Sequence, residues 1–262
     1  MTAAKRGKWY TLRFAAVVCA VCSVAVAGSA VLLRPRQVEN RELDRQTRVL
    51  EVAGLIDAAQ SPDREKVQRL FRDNVRVVAI ELATGAEAPE IDPATYDPRR
   101  AASDPETSRK APENEARVAR VPHHVLVYSV EQAGRVERRI LPMEGLGLWS
   151  TLRGYLALSA DGTTVRAITF YEHAETPGLG DGIDDPRWQA RWDGRKILDE
   201  AGEVRLRVIK GRAGEAAADP FRVDGLSGAT LTANGVTNML EFWLGPQGYG
   251  PYLARLRRGA RP

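Results

Sequence analysis

From Phe14 to Leu33 the chain reads FAAVVCAVCSVAVAGSAVLL, twenty positions without a charge. As a helix, such a run is long enough to cross a hydrocarbon core of about 30 Å. Signal-peptide apolar regions are usually shorter, which favours an uncleaved anchor, although Ala27-Gly28-Ser29-Ala30 leaves a small-residue cleavage site open. Beyond the span the pattern changes period. Val49, Ala53 and Ile56 share one helical face, and Ser61-Pro62 has the form of a helix start, with a stripe of Val67, Leu70 and Phe71 behind it. Residues 75–82, VRVVAIEL, are β-branched and predict a strand.

Residues 84–122 break the pattern, with six prolines, many charges and few apolar positions. They are expected to form a solvated loop or a loosely attached insertion without chemistry. Further strands are expected at Val125–Val130, Arg135–Leu141, Tyr155–Ser159, Val165–Tyr171 and Val204–Ile209, with a hairpin turn at Ser159–Thr163. Asp185-Pro186 opens a helix that puts Trp188 and Trp192 on one face. Thr232 is positioned to cap a helix through Val236, Met239, Leu240 and Trp243, ended by Gly245. The expected fold class is α+β: a single amino-terminal transmembrane helix, then a mixed, mainly antiparallel domain. The expected divisions are a leader at 1–13, the span at 14–33, membrane-proximal helices and a first strand at 34–83, the charged insertion at 84–122 and the main domain at 123–262.

Charge changes the picture of partners. The chain has 262 residues and a formal net charge of +4, but its first 36 residues hold six basic residues and no acid. The remainder is therefore slightly acidic, which removes the electrostatic argument for nucleic acid. The same asymmetry, with Lys5, Arg6, Lys8 and Arg13 before the span, favours an amino terminus in the cytoplasm and the body outside. Cys19 and Cys22 form a C-x-x-C inside the apolar run, where cysteine behaves as a small hydrophobe.

Most catalytic signatures are incomplete. Gly145-x-Gly147 lacks the third glycine of a dinucleotide loop, since Ser150 stands there. His173-Ala-Glu175 lacks the cysteine half of a zinc-deaminase site, and Ser227 lies in no nucleophile elbow. What remains is Ser227-Gly228-Ala229-Thr230 just before a helix, a place where free backbone N–H groups and the positive helix end favour a phosphate. From spacing alone, an ordinary capped loop fits equally well.

Asp224-Gly-Leu-Ser-Gly-Ala-Thr230 resembles the flavinylation motif of the covalent FMN-binding domain family. Within it, the chain is similar to the C subunits of bacterial sodium-translocating NADH:quinone oxidoreductases. Gly-Leu-Gly-Leu-Trp149, Tyr-Glu-His-x-Glu-Thr-Pro-Gly-Leu-Gly180, Asp185-Pro-Arg-Trp188, Lys210-Gly211 and Phe-Trp-Leu-Gly-Pro-Gln-Gly-Tyr-Gly-Pro-Tyr-Leu253 occur in matching order. The resemblance implies FMN bound through a phosphoester on Thr230, with Ser227, Gly228 and Ala229 around the phosphate and Asp224 in the sequence read by a flavin transferase that takes FMN from FAD with Mg2+. It also implies a second flavin-contacting loop at Glu175, Thr176, Gly178 and Leu179, where Glu175 and Thr176 hydrogen-bond the flavin and Leu179 packs on its ring. Trp149 and Lys210 are further cofactor contacts, and no metal or acid–base catalyst is implied. Asp181 departs from the family's common glycine. The implied role is electron transfer from NADH towards quinone, coupled to Na+ export, among other subunits at the bacterial inner membrane, with the carboxy-terminal domain periplasmic. The G subunit of an Rnf-type ferredoxin:NAD complex, which shares the Glu-Thr-Pro-Gly-Leu-Gly and Ser-Gly-Ala-Thr elements, and a cofactor-free anchored scaffold remain alternatives.

Overall fold

A computed structural model describes residues 8–57 and 63–259. The chain divides into two compact units, Met1–Arg45 and Gln46–Pro262. Helix α1, Lys8–Val52, runs through the apolar segment, and Pro35 lies inside it without ending it. The helix is long and apolar enough to cross a membrane by length and composition. Its thiols Cys19 and Cys22 are both free. The anticipated helix start at Ser61-Pro62 lies outside the described residues; α2 runs Arg64–Asn74 from Asp63 in the N-cap position.

The second unit is built on one antiparallel sheet of β1 (Val75–Glu81), β4 (His124–Gln132), β5 (Arg135–Leu146), β6 (Thr151–Ser159) and β7 (Val165–Glu172), in that spatial order. β4 and β6 are buried on both faces. Alternate positions such as Val125 and Val127 join the main core, while Leu126 and Tyr128 are buried outside it, with Phe71 of α2 set edge-on against Tyr128. That two-sided burial explains the near-continuous apolar runs there. The main core lies under α5 (Thr230–Leu244) and α6 (Gly250–Arg257), whose Val236, Met239, Leu240, Tyr252 and Leu253 pack with Leu141, Leu152 and Leu156 of the sheet. The indole of Trp243 donates to the Glu144 carbonyl at 2.6 Å, and the Tyr249 hydroxyl to that of Pro142 at 2.7 Å, holding the carboxy-terminal segment to β5.

Three sequence expectations need correction. Residues 84–122 are not a loose insertion. They form α3 (Pro98–Ser103), β2 (Ser108–Lys110) and β3 (Arg120–Pro122), and they send Ala111, Ala116, Val118 and Val121 into the main core. Prolines and charges cover their outer side, so composition hides a few well-placed apolar residues. The strand at Val204–Ile209 shrinks to β8 (Arg207–Val208), paired in parallel with β9 (Arg222–Val223). Trp188 and Trp192 do not share one helix: α4 (Pro186–Gln189) gives way to a 3-10 turn over Ala190–Trp192, and their rings meet edge-on at 5.2 Å.

Candidate functional site

Three segments converge at one end of the sheet. The first is the four-residue hairpin loop Gly147–Ser150 between β5 and β6, closed by the Gly147 N–H donating to the Ser150 carbonyl at 2.8 Å. The second, Glu175–Gly180, follows β7 and enters a 3-10 turn at Gly180–Asp184. The third, Ser227–Thr232, enters α5.

Glu175 joins all three. The residue is 5% exposed. Oε1 accepts the backbone N–H groups of Leu148 and Trp149 at 3.0 and 3.1 Å, and Oε2 accepts the hydroxyl of Thr232 at 2.5 Å. Close packing surrounds the carboxylate: a Cβ on Gly147 would lie 2.5 Å from Oε1, and one on Gly180 would lie 2.8 Å from Oε2. The loop is braced behind Glu175 as well, where Ala174 N–H donates to Ser150 Oγ at 2.7 Å. Glu175 N–H donates to His173 Nδ1 at 3.2 Å, which makes Nε2 the protonated nitrogen that donates to Asp184 at 2.8 Å.

Thr232 therefore does not cap α5. The helix begins two residues earlier, with Ala229 in the cap position; alanine carries no side-chain acceptor, so no side chain caps the turn, while the Thr232 hydroxyl donates to Glu175. The first turn's N–H groups consequently lack the usual side-chain acceptor. Thr230 is exposed at that turn, and its hydroxyl has no hydrogen-bond partner among the described residues. Gly228 has φ +74°, a left-handed conformation that favours glycine, and a Cβ there would lie 2.9 Å from Leu179 Cδ2. Ser227 is exposed beside it.

The rim is apolar. Leu146, Leu148, Trp149, Leu179 and Leu231 are exposed, and among the described residues every other exposed large hydrophobic belongs to the amino-terminal helix. The Trp149 indole is 69% exposed yet fixed in orientation, since its Nε1–H donates to Thr176 Oγ1 at 3.0 Å. Such a patch on a folded domain marks a ligand or partner site.

Not every sequence-derived candidate faces this rim. The Asp224 carboxylate accepts Ala213 N–H at 2.8 Å and its carbonyl accepts the Trp188 indole N–H at 2.8 Å, so it fixes the base of the Ser227–Thr232 segment. Lys210 is exposed next to Gly211, whose carbonyl accepts Gly225 N–H at 2.7 Å. Gly178, at φ +76°, shapes the turn ahead of Leu179. Leu146, Leu148, Leu231 and Thr232 were absent from the sequence-derived site residues; the apolar density of Leu146–Trp149 was a signal for the first two, while Thr232 was read only as a helix cap.

Beside the site, Glu172 receives hydrogen bonds from Arg99, at 2.6 Å, and from Arg153. Burial pushes its carboxyl upward, but Arg99 and Arg153 outweigh that and hold it below the usual carboxylate range.

Comparison with known proteins gives this geometry a context. An FMN-binding domain family matches residues 147–245, which contain all three converging segments. The C subunit of the Na(+)-translocating NADH-quinone reductase of Pseudomonas aeruginosa is 45% identical over 252 residues, covering 95% of this chain and 96% of that protein. Its counterpart from Yersinia pestis is 43% identical over 253 residues, covering 95% and 93%. A crystal structure of Shewanella oneidensis NqrC superposes with a TM-score of 0.76 at 32% identity, covering 84% of this chain and 99% of that one. With that identity along nearly its whole length, the chain belongs to the family of the C subunits of the Na(+)-translocating NADH-quinone reductases.

Proposed function

We propose that this chain is the flavin-carrying subunit of a sodium-translocating NADH:quinone oxidoreductase, holding FMN by a phosphoester on Thr230. The observation that carries the reading is the uncapped first turn of α5, which offers an exposed, unengaged Thr230 hydroxyl next to Gly228 and inside an apolar rim. The residues fit the group: uncapped N–H groups and the helix dipole suit a phosphate, and exposed Trp149 and Leu179 suit the flat apolar ring system. FMN, when bound, supplies the redox chemistry.

The chain's own residues bind and position. Ser227, Gly228 and Ala229 would hold the phosphate, and the positive φ of Gly228 would let the backbone approach it closely. Thr176 accepts the Trp149 indole N–H and keeps its own hydroxyl proton for a flavin acceptor. Gly178 sets the turn that presents Leu179, while Asp224 and Lys210 belong to the base of the attachment segment. Loading follows from the chemistry of FAD: a Mg2+-dependent flavin transferase directs the Thr230 oxygen onto the FMN phosphorus. A phosphoester forms, the pyrophosphate bond breaks, AMP leaves, and the hydroxyl proton goes to solvent or base. A covalent tether suits a periplasmic domain, which has no cytosolic flavin pool to refill it. The basic leader before the apolar helix supports a cytoplasmic amino terminus in the inner membrane.

Identity to named quinone-reductase subunits over 95% of the chain favours this reading over the Rnf alternative. The experiment is complementation of a strain lacking the native subunit, with membranes assayed for NADH:quinone and ferredoxin:NAD activity. Wild-type chain is expected to restore the Na+-dependent quinone reductase, and Thr230→Ala is expected to assemble without restoring it. Restoration of ferredoxin:NAD activity instead would contradict the assignment.

A further inference from the structure

We infer that Glu175 is a positioning residue, a buried clamp that sets the flavin attachment site without touching the flavin; this rests on the attachment reading above. A residue in a flavin-contacting loop is naturally taken for a ligand, and a free carboxylate oxygen would be needed for that. Neither Glu175 oxygen is free of protein: three donors take three of about four acceptor sites, and the residue is 5% exposed, which leaves no outward-facing oxygen for a flavin.

The donors come from the pieces that have to be held together. Leu148 and Trp149 lie on the β5–β6 loop that carries the exposed indole, and Thr232 is the third residue of the helix whose first residue is Thr230. Each piece is distant in sequence from Glu175, by 26 or 27 residues on one side and 57 on the other. One carboxylate thus fixes the spacing between Trp149 and the Thr230 turn. The helix start beside it has alanine, Ala229, in the cap position, so it carries no side-chain cap and is open to a phosphate. The surroundings are built for it. Gly147 and Gly180 leave just enough room beside the two oxygens. Gly235 of α5 likewise lets the helix lie against the loop, since a Cβ there would come within 2.5 Å of the Leu146 carbonyl oxygen. A buried acceptor shared by three donors loses the loop, the helix turn or both when it is removed, because each orphaned donor must find water.

The carboxamide variant separates the clamp from the charge. In Glu175→Gln, Oε1 still accepts both N–H groups, and the Thr232 hydroxyl rotates to accept from the new NH2 group. Glu175→Ala removes all three bonds, and Thr232→Val removes one while conserving shape. The test uses full-length chain in membranes with a flavin transferase, Mg2+ and FAD. It follows the fraction of Thr230 carrying FMN by mass over time, and the visible circular dichroism of the loaded fraction.

Glu175→Gln is expected to load within about threefold of wild type with an unchanged flavin spectrum. Glu175→Ala is expected to load about tenfold more slowly or worse, as for loss of hydrogen bonds to a charged group, with a weakened flavin dichroism. Thr232→Val, which leaves the loop contacts intact, is expected to fall between them and decides the matter if Glu175→Ala does not fold. Equal loading and equal dichroism in wild type, Glu175→Ala and Thr232→Val would overturn the clamp, as would a Glu175→Gln chain as impaired as Glu175→Ala. A wild-type chain that gains no FMN at all would overturn the attachment reading, and with it the clamp's role there.

Discussion

Replacing Gly235 by alanine sets two effects of opposite sign against each other. In an isolated helix the change adds stability, about 1 kcal/mol from reduced backbone entropy in the unfolded chain and better helix propensity. Within α5 a Cβ at this position would lie 2.5 Å from the Leu146 carbonyl oxygen and 3.0 Å from Gly147 Cα. Both obstacles are backbone, so no rotamer relieves the contact, and either the helix or the β5–β6 loop has to shift. Overpacking of this kind costs about 1–3 kcal/mol, and with rigid neighbours the upper end applies. The steric effect wins, for a net loss of about 2 kcal/mol, or a fall in Tm of about 4–8 °C for a body of this size. The assay is thermal unfolding of the full chain in detergent, with exposed Asn234→Ala as a neighbouring control. The control feels propensity alone and is expected to gain about 0.5 kcal/mol. If both variants raised Tm together, the close approach of α5 to the Gly147 loop would be refuted.

Other consequences can be measured with the same protein. Val121→Ala, in the proline-rich segment, is expected to lower stability by about 1–3 kcal/mol because Val121 is fully buried in the main core; a loosely attached segment would give no change. Trp243→Phe removes the indole donor to the Glu144 carbonyl and leaves that oxygen without it, for an expected loss of about 1–2 kcal/mol by chemical denaturation. The Glu172 carboxyl is held low by Arg99 and Arg153, so their contribution is present above its ordinary value of 4.5 and is lost as pH falls through the lower folded value. The stability gap between wild type and Arg99→Ala is therefore expected to be small, since the pair is partly exposed, and to close on acidification; a gap that widens at low pH would contradict the ion-pair argument.

The sheet strands were legible because their residues are β-branched and bounded by turns, and the Ser159–Thr163 hairpin formed where Asp161 and Gly162 allow it, with Asp161 accepting Thr163 N–H at 3.1 Å. The proline-rich segment misled because burial there depends on Ala116, Val118 and Val121, too few for a periodic signal. Thr232 was a plausible cap by spacing, but the helix already begins at Thr230, and spacing cannot show that a carboxylate 57 residues away accepts the Thr232 hydroxyl. Glu175 stood out through its motif, while its engagement with three protein donors is a long-range property that no local pattern encodes. The helix start at Thr230 was also shifted from expectation, and that shift is what leaves the Thr230 hydroxyl at an open helix end.

The central claim is that Thr230 carries the flavin, and peptide mapping with intact mass on chain co-expressed with a flavin transferase tests it most directly. The expected result is one FMN, joined with loss of water, on the peptide containing Thr230 and absent from Thr230→Ala. An unmodified Thr230 in a folded, transferase-exposed chain, or FMN mass that persists in Thr230→Ala, would contradict it.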